Sequence, residues 1–280
     1  MTPAGELLSL SREEYDAMTD RANFSTLKHL DKSPAHLLHA LEERGEDKDA
    51  YKVGRCTHLA VFEPAIYEAD VVTWSGGTRR GKEWDVFRAR HAGFEILTEN
   101  ETETVQGLAR AVRTHPDVAR YLEAGEAEVT ALWTDSATGV ACKGRLDWIA
   151  GSGALLDLKN TKDASPDGFG RAAYAYRYHA QAALYSDAVH AATDERLPYV
   201  LIAVESVAPY VVQPYVVTRE QIDAGRRIYR TWLARLLECR ESNRWPGYVD
   251  GRAELALPRW ADRAGEGADE DQIDAEASEA

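Results

Sequence analysis

Two carboxylates and an amine, Asp147, Asp157 and Lys159, stand in a stretch that reads as two adjacent strands, Gly144-Arg145-Leu146-Asp147-Trp148 and Leu156-Asp157-Leu158-Lys159. Strand side chains alternate with period two. Lys143, Arg145 and Asp147 therefore share one face of the first strand, and Asp157 and Lys159 one face of the second. Between them Ala150-Gly151-Ser152-Gly153 reads as a hairpin turn. An odd-numbered connection places Asp157 opposite Asp147 and Lys159 opposite Arg145. An even one sends the two carboxylates to opposite faces.

Like charges a few ångströms apart raise each other's pKa and repel unless a cation lies between them. Hard divalent cations such as Mg²⁺ and Mn²⁺ take oxygen ligands of this kind. A lysine beside such an ion can hold and help deprotonate an attacking water and can stabilise a pentacovalent phosphate. Asp…Asp-x-Lys thus suits metal-assisted hydrolysis of a phosphodiester. The tripeptide by itself is short and common, and a solvated surface hairpin is its commoner use.

The elements around this stretch follow from pattern. Ser11 with Glu14 forms a capping box, Ser25 caps a second helix over Thr26–Leu30, and Ser33-Pro34 opens a third over Ala35–Glu43. His36 and His39 on that third helix read as half-exposed surface histidines. A charged linker, Arg44–Asp49, leads to a helix over Ala50–Phe62 that carries His58 among apolar neighbours, the usual setting of a hydrogen-bonded core histidine. Val71–Trp74 reads as a short strand. It precedes a glycine-rich loop bearing Arg79, Arg80 and Lys82, which lacks the Gly-Lys-Ser/Thr of a phosphate-cradling P-loop but suits contact with a nucleic-acid backbone or solvent. Helices follow over Glu83–Ala92, from a Thr98/Glu101 capping box to Thr114, and around Val118–Leu122.

Then three consecutive strands, Glu128–Trp133, Val140–Ile149 and Ala154–Asn160, give way to one long helix over Phe169–Ala192. Tyr174, Tyr178, Gln181 and Tyr185 fall on one face of that helix, a stripe that usually means core packing, although a buried Gln181 amide needs partners. Strands Tyr199–Glu205 and Tyr210–Val217 and a final amphipathic helix capped by Thr218 and Gln221 complete the order. The succession predicts an α/β domain with a mixed central sheet flanked by helices and a helical N-terminal region, residues 1–49, packed on it.

Composition bounds the function. A chain of 280 residues, 44% hydrophobic with seven Trp and thirteen Tyr, has ample material for a core. No apolar run approaches a membrane span, and the N-terminus lacks a signal-peptide pattern. Three scattered cysteines, Cys56, Cys142 and Cys239, make no disulfide framework and fit a reducing cytoplasm. The net charge of −14 argues on its face against a nucleic-acid partner. The excess is uneven, however: residues 262–280 hold eight acids and one base and read as a disordered tail.

A strand with an Asp, a strand with Asp-x-Lys and a helix with Gln-x-x-x-Tyr together resemble the PD-(D/E)XK nuclease superfamily. More narrowly, Gly54 to Asp187 is similar to the nuclease domain of RecE-type (exonuclease VIII-like) phage recombination exonucleases. The resemblance rests on Gly54-Arg55-Cys56-Thr57-His58, Phe62-Glu63-Pro64, Arg79-Arg80-Gly81-Lys82-Glu83-Trp84, Cys142-Lys143-Gly144-Arg145-Leu146-Asp147-Trp148-Ile149, Asp157-Leu158-Lys159 and Tyr178-His179-Ala180-Gln181-Ala182-Ala183-Leu184-Tyr185. Asn160 stands where the family often has Thr.

The resemblance implies an exonuclease domain over residues 50–250 with His58, Asp147, Asp157 and the Leu158 carbonyl as metal ligands. Mg²⁺ is the implied ion, with Mn²⁺ able to substitute. Lys159 is implied as the catalytic lysine, Gln181 as the residue that positions the nucleotide or the lysine, Gln181 with Tyr185 as the helix motif, and Arg79, Arg80, Lys82, Lys143, Arg145 and Tyr185 as DNA contacts. Glu128, at the start of the first of the three strands, is expected to serve the site through water. The implied activity is 5′→3′ digestion of one strand of linear duplex DNA, leaving a 3′ single strand for a RecT-like annealing protein. A ring-shaped homo-oligomer, trimer or tetramer, and a phage or prophage gene product in a bacterial host cytoplasm are implied too. Two other readings share the motif: a structure-specific or restriction-type endonuclease, and an inactive DNA clamp. An acidic scaffold protein is a third, remote from both.

Overall fold

The computed structural model describes residues 4–43, 52–249 and 251–257. The Arg44–Asp49 linker, the first two residues of the expected Ala50–Phe62 helix and the acidic tail lie outside the described residues. Chain contacts divide the protein into Met1–Trp245 and Pro246–Ala280. In the second unit, the described residues 246–249 and 251–257 form neither helix nor strand.

The first unit is built on a six-stranded sheet in the order β1-β4-β5-β6-β7-β8: Gly5–Leu8, Gly125–Thr134, Ala141–Ala150, Ala154–Thr161, Tyr199–Glu205 and Val212–Val217. All neighbours run antiparallel except β6 and β7, which are parallel. The parallel pair needs a crossover, which is supplied by helices α9 (Pro166–Ala175) and α10 (Tyr178–Thr193). β7 shows why the sheet has two covered faces. Tyr199, Leu201 and Ala203 enter one apolar cluster, and the alternate residues Val200, Ile202 and Val204 enter another.

The first cluster is completed by α10, by α11 (Arg219–Ser242) and by the N-terminal helices α2 (Phe24–Leu27) and α3 (Pro34–Glu42). The second is completed by α4 (Lys52–Phe62), α7 (Glu99–Thr114) and α8 (Pro116–Leu122). A separate parallel pair, β2 (Val71–Trp74) with β3 (Glu95–Thr98), sits beside α5 (Pro64–Asp70) and α6 (Lys82–Arg90). Among the described residues, no helix is long and apolar enough to cross a membrane.

Local signals held where they were chemical. The capping boxes at Ser11, Thr98 and Thr218 are formed, opening α1 (Arg12–Ala17), α7 and α11. Three expectations are corrected. α2 is capped by Asn23, whose side chain accepts from Thr26 N, and not by Ser25; it passes at Lys28 into a 3-10 turn ending at Asp31. The single helix over Phe169–Ala192 is two, broken where Arg177 takes a left-handed conformation at φ 59°. Tyr174 therefore leaves the face shared by Tyr178, Gln181 and Tyr185. β1, β3 and α5, which the pattern did not reveal, are all short elements.

Candidate metal centre

Ala150 pairs with Ala154, Ile149 with Leu155 and Trp148 with Leu156, so the β5–β6 connection is the three residues Gly151-Ser152-Gly153. Stepping back one residue on β5 and forward one on β6 brings Asp147 opposite Asp157, as an odd connection requires. The ladder stops there, and the Leu158 N–H donates instead to Oδ2 of Asp147 at 2.9 Å. The strands part at the pair of carboxylates, and Lys159 continues along β7, across from Ala203.

His58 arrives from the opposite layer. On α4, Phe62 lies one turn beyond His58 and stacks on Trp148 with ring centroids 5.9 Å apart. Trp148 follows Asp147 in the chain, so this apolar contact delivers the imidazole to the carboxylate. His58 Nδ1 lies 3.3 Å from Asp147 Oδ2. The ring also hydrogen-bonds the Leu158 backbone, whose carbonyl accepts because its N–H is spent on Asp147. Burial, and then the Lys159 charge, hold the His58 pKa below its usual value. The neutral imidazole that a metal requires is thus the form present at neutral pH.

Glu128 completes the group. Ala127 pairs with Trp148 and Val129 with Leu146, so Glu128 sits across β4–β5 from Asp147. Its backbone takes φ 52°, rare for a residue with a side chain, and it drops out of the ladder. Arg145 fixes it by an Nε–H bond to its carboxylate. His58, Glu128 and Asp147 each present one ligand atom, all within 4.8 Å of one another. Metal–ligand bonds of roughly 2.0–2.6 Å allow atoms about that far apart to share one divalent ion.

Asp157 stands beside this trio with both oxygens engaged. One accepts from Lys159 Nζ and the other from the Tyr199 hydroxyl at 2.9 Å. Burial, and then the Asp157 charge, push the Asp147 pKa well above the carboxylate range. Without a cation the two acids are mutually costly, which is the electrostatic signature of a site made to receive one. For Lys159, burial favours the neutral amine, but Asp157 and Asp147 outweigh it and raise its pKa. Lys159 is therefore an ammonium, held between Asp157 and the face of Tyr178, 4.8 Å from the ring centroid. In this state it donates hydrogen bonds.

The expected ligand set was His58, Asp147, Asp157 and the Leu158 carbonyl, and the four do converge. The trio with ligand geometry, however, includes Glu128 in place of Asp157. The sequence signal for Glu128 was its position facing Asp147, legible only once the β4–β5 register is known. Its left-handed backbone leaves no trace in sequence.

Gln181, half-buried on α10, hydrogen-bonds the Tyr185 hydroxyl. Tyr185 is buried, with its ring against Gly144: a Cβ there would come 2.8 Å from Tyr185 Cε1. Tyr185 thus supports β5 from beneath and does not line a DNA surface. Two of the expected DNA-contacting cations are corrected likewise. Lys143 is only 2% exposed and spends its ammonium on the Tyr15 carbonyl and ring face. Arg145 bonds Glu128 and the Leu10 carbonyl at 3.1 Å. Both lie under the N-terminal segment and pin it to β5. Arg79 is tied to the Ile96 carbonyl and to Glu101, whereas Arg80 and Lys82 are exposed.

Comparison with known proteins agrees with this fold. A search of curated proteins found no match. Among solved structures, the chain is similar to a “Putative exonuclease” from Eubacterium rectale, with a TM-score of 0.61 and 17% identity, covering 92% of this chain and 99% of the other. At that identity the likeness shows the fold. Residues 23–256 match the family described as a PDDEXK-like domain of unknown function, DUF3799. That span takes in the whole sheet except β1 and every residue of the centre, and the chain belongs to this PDDEXK-like family.

Proposed function

We propose that the protein is a Mg²⁺-dependent exodeoxyribonuclease that degrades one strand of linear duplex DNA, 5′→3′, and leaves a 3′ single strand. The observation that carries this reading is the convergence of His58, Glu128 and Asp147 within ligand distance, next to the Asp157–Lys159 pair. The name given to the Eubacterium rectale neighbour is in keeping with it.

His58, Glu128 and Asp147 would hold the ion, with Asp157 and the Leu158 carbonyl alongside. Bound there, Mg²⁺ supplies Lewis-acid polarisation of the phosphate and acidifies a coordinated water. The chain's own residues do the rest. Lys159, kept charged by Asp157, donates to the attacking water or to a phosphoryl oxygen as negative charge builds on it. Tyr199 fixes Asp157 and thereby the lysine. Arg145 holds Glu128 at its reversed backbone turn. Gln181, on the helix that also carries Tyr178, would orient a nucleotide through its amide. The exposed Arg80 and Lys82 supply phosphate-neutralising charge at the surface.

An annealing protein as partner for the 3′ strand, and a ring-shaped homo-oligomer around the DNA, belong to the same reading. A ring would reconcile the acidic total with the substrate, since its lining alone must be basic. The test uses linear duplex labelled at the 5′ or the 3′ end, a circular duplex, and reactions with and without Mg²⁺. Stepwise Mg²⁺-dependent loss of the 5′ label from linear DNA, with circular DNA intact, is the expected result. Cleavage of the circle would replace the exonuclease by an endonuclease. No cleavage of either would sink the reading.

A further inference from the structure

We infer that Tyr176 and Tyr174, at the junction of α9 and α10, form a stacking platform for unpaired nucleobases of the strand that passes Lys159. The inference rests on the nuclease reading for the identity of that strand and goes beyond it in naming the form of substrate gripped. The two rings are 62% and 68% exposed, unusual for side chains of this size and apolar content. They are held out by construction. α9 ends at Ala175 and α10 begins at Tyr178, with Arg177 in the left-handed region between them. Such a conformation costs a residue with a side chain and persists only where its surroundings enforce it. Here Asp31 holds the guanidinium at 2.6 Å, and Arg177 in turn lies over the Tyr174 ring, 4.6 Å from its centroid.

The platform is continuous with the candidate centre. The ring of Tyr176 stacks on Tyr178 at 5.7 Å with planes 24° apart, and Tyr178 carries Lys159 Nζ on its face. Aromatic surface therefore runs from the lysine at the metal centre outward to solvent. Tyr174 adds a second tier, parallel to His179 within 2° at 6.3 Å. An aromatic face accepts any base by stacking, without reading its edge. In an intact duplex the base faces are already covered by their neighbours. The chemistry that fits is a frayed end or a short single-stranded segment, gripped without sequence preference.

The experiment measures binding without divalent ions, so that cleavage plays no part. A single-stranded oligonucleotide carrying a fluorescent adenine analogue, which dims on stacking, is titrated with the wild-type protein, the Tyr174→Ala/Tyr176→Ala variant and the Tyr174→Phe/Tyr176→Phe variant. Quenching by wild type and by the Phe variant is expected, with affinity reduced roughly tenfold or more in the Ala variant. Binding of a blunt duplex should change little. In the presence of Mg²⁺, KM for a duplex with a frayed end should rise in the Ala variant with kcat nearly unchanged. Equal affinity and quenching in wild type and the Ala variant would overturn the platform, as would a wild type that cleaves DNA without quenching. A protein that quenches through Tyr176 but never cleaves would uphold the platform and remove the nuclease reading instead.

Discussion

The Leu158 backbone N–H donates to Oδ2 of Asp147 at 2.9 Å, where the β5–β6 ladder has just ended. A side-chain carboxylate there does the work of a main-chain carbonyl, so the two strands separate without leaving that amide unsatisfied. The separation is what admits His58 to the same oxygen from the other layer. Fold and candidate chemistry thus share one atom.

Asp147→Asn keeps an acceptor for Leu158 and removes a charge that burial and Asp157 make costly. In metal-free buffer its melting temperature is expected to rise, by about 2–4 °C for each kcal/mol relieved. Mg²⁺ should then stabilise wild type, by about 2.7 kcal/mol at a hundredfold excess over Kd, and not the variant. Thermal melts with and without the ion check both halves. Degradation of linear DNA by the variant should be lost.

Glu128→Gln tests the ligand set. Metal affinity is expected to fall about tenfold or more, because one of three charged or imidazole donors is replaced by a weaker amide. Calorimetry with Mn²⁺ measures it. Lys159→Ala should behave in the opposite sense, abolishing turnover while the protein still takes up Mn²⁺.

Asp187 joins α10 to α11 through Arg226, at 2.6 and 2.7 Å, and through the buried Tyr229 hydroxyl. Burial alone would raise the Asp187 pKa, but the Arg226 and Tyr229 bonds outweigh it and lower it. A depressed carboxyl pKa contributes stability that is present above the unfolded value, near 3.9, and lost as pH falls through the folded one. Asp187→Asn should therefore cost about 3 kcal/mol at neutral pH. The gap from wild type should be constant above about pH 5 and close below about pH 4. Urea titrations across pH measure the gap.

Gly225 of α11 lies against the α10 backbone, and a Cβ there would fall 2.0 Å from the His179 carbonyl oxygen. Backbone cannot yield as a side-chain tip can. Gly225→Ala is expected to destabilise by about 3 kcal/mol, at the upper end for overpacking. Chemical denaturation followed by tryptophan fluorescence would show it.

Burial raises the thiol pKa of Cys142 to about 12 and that of Cys56 to about 11. Neither should react with an alkylating reagent at pH 8 until the protein unfolds. Mass spectrometry of native and guanidinium-treated protein would count the labels.

The sequence by itself determined whatever depends on near neighbours. Alternation placed the strands from Glu128 to Asn160, side-chain caps opened α1, α7 and α11, and strand period put Asp157 and Lys159 on one face, while the parity of the connection after Ala150 waited on the register. These are period-two and single-turn effects, complete within a few residues. Only the tertiary structure decided the rest. Phe62 stacking on Trp148 brought His58 to the acids, and a left-handed turn at Glu128 supplied the third donor. The N-terminal segment closed over Lys143 and Arg145, and Asp31 enforced the break at Arg177 that exposes Tyr176. In each case the deciding partner is distant in sequence or the backbone state is one that residue type does not announce. A pattern along one strand says which side chains share a face, but what covers that face is settled by packing between layers.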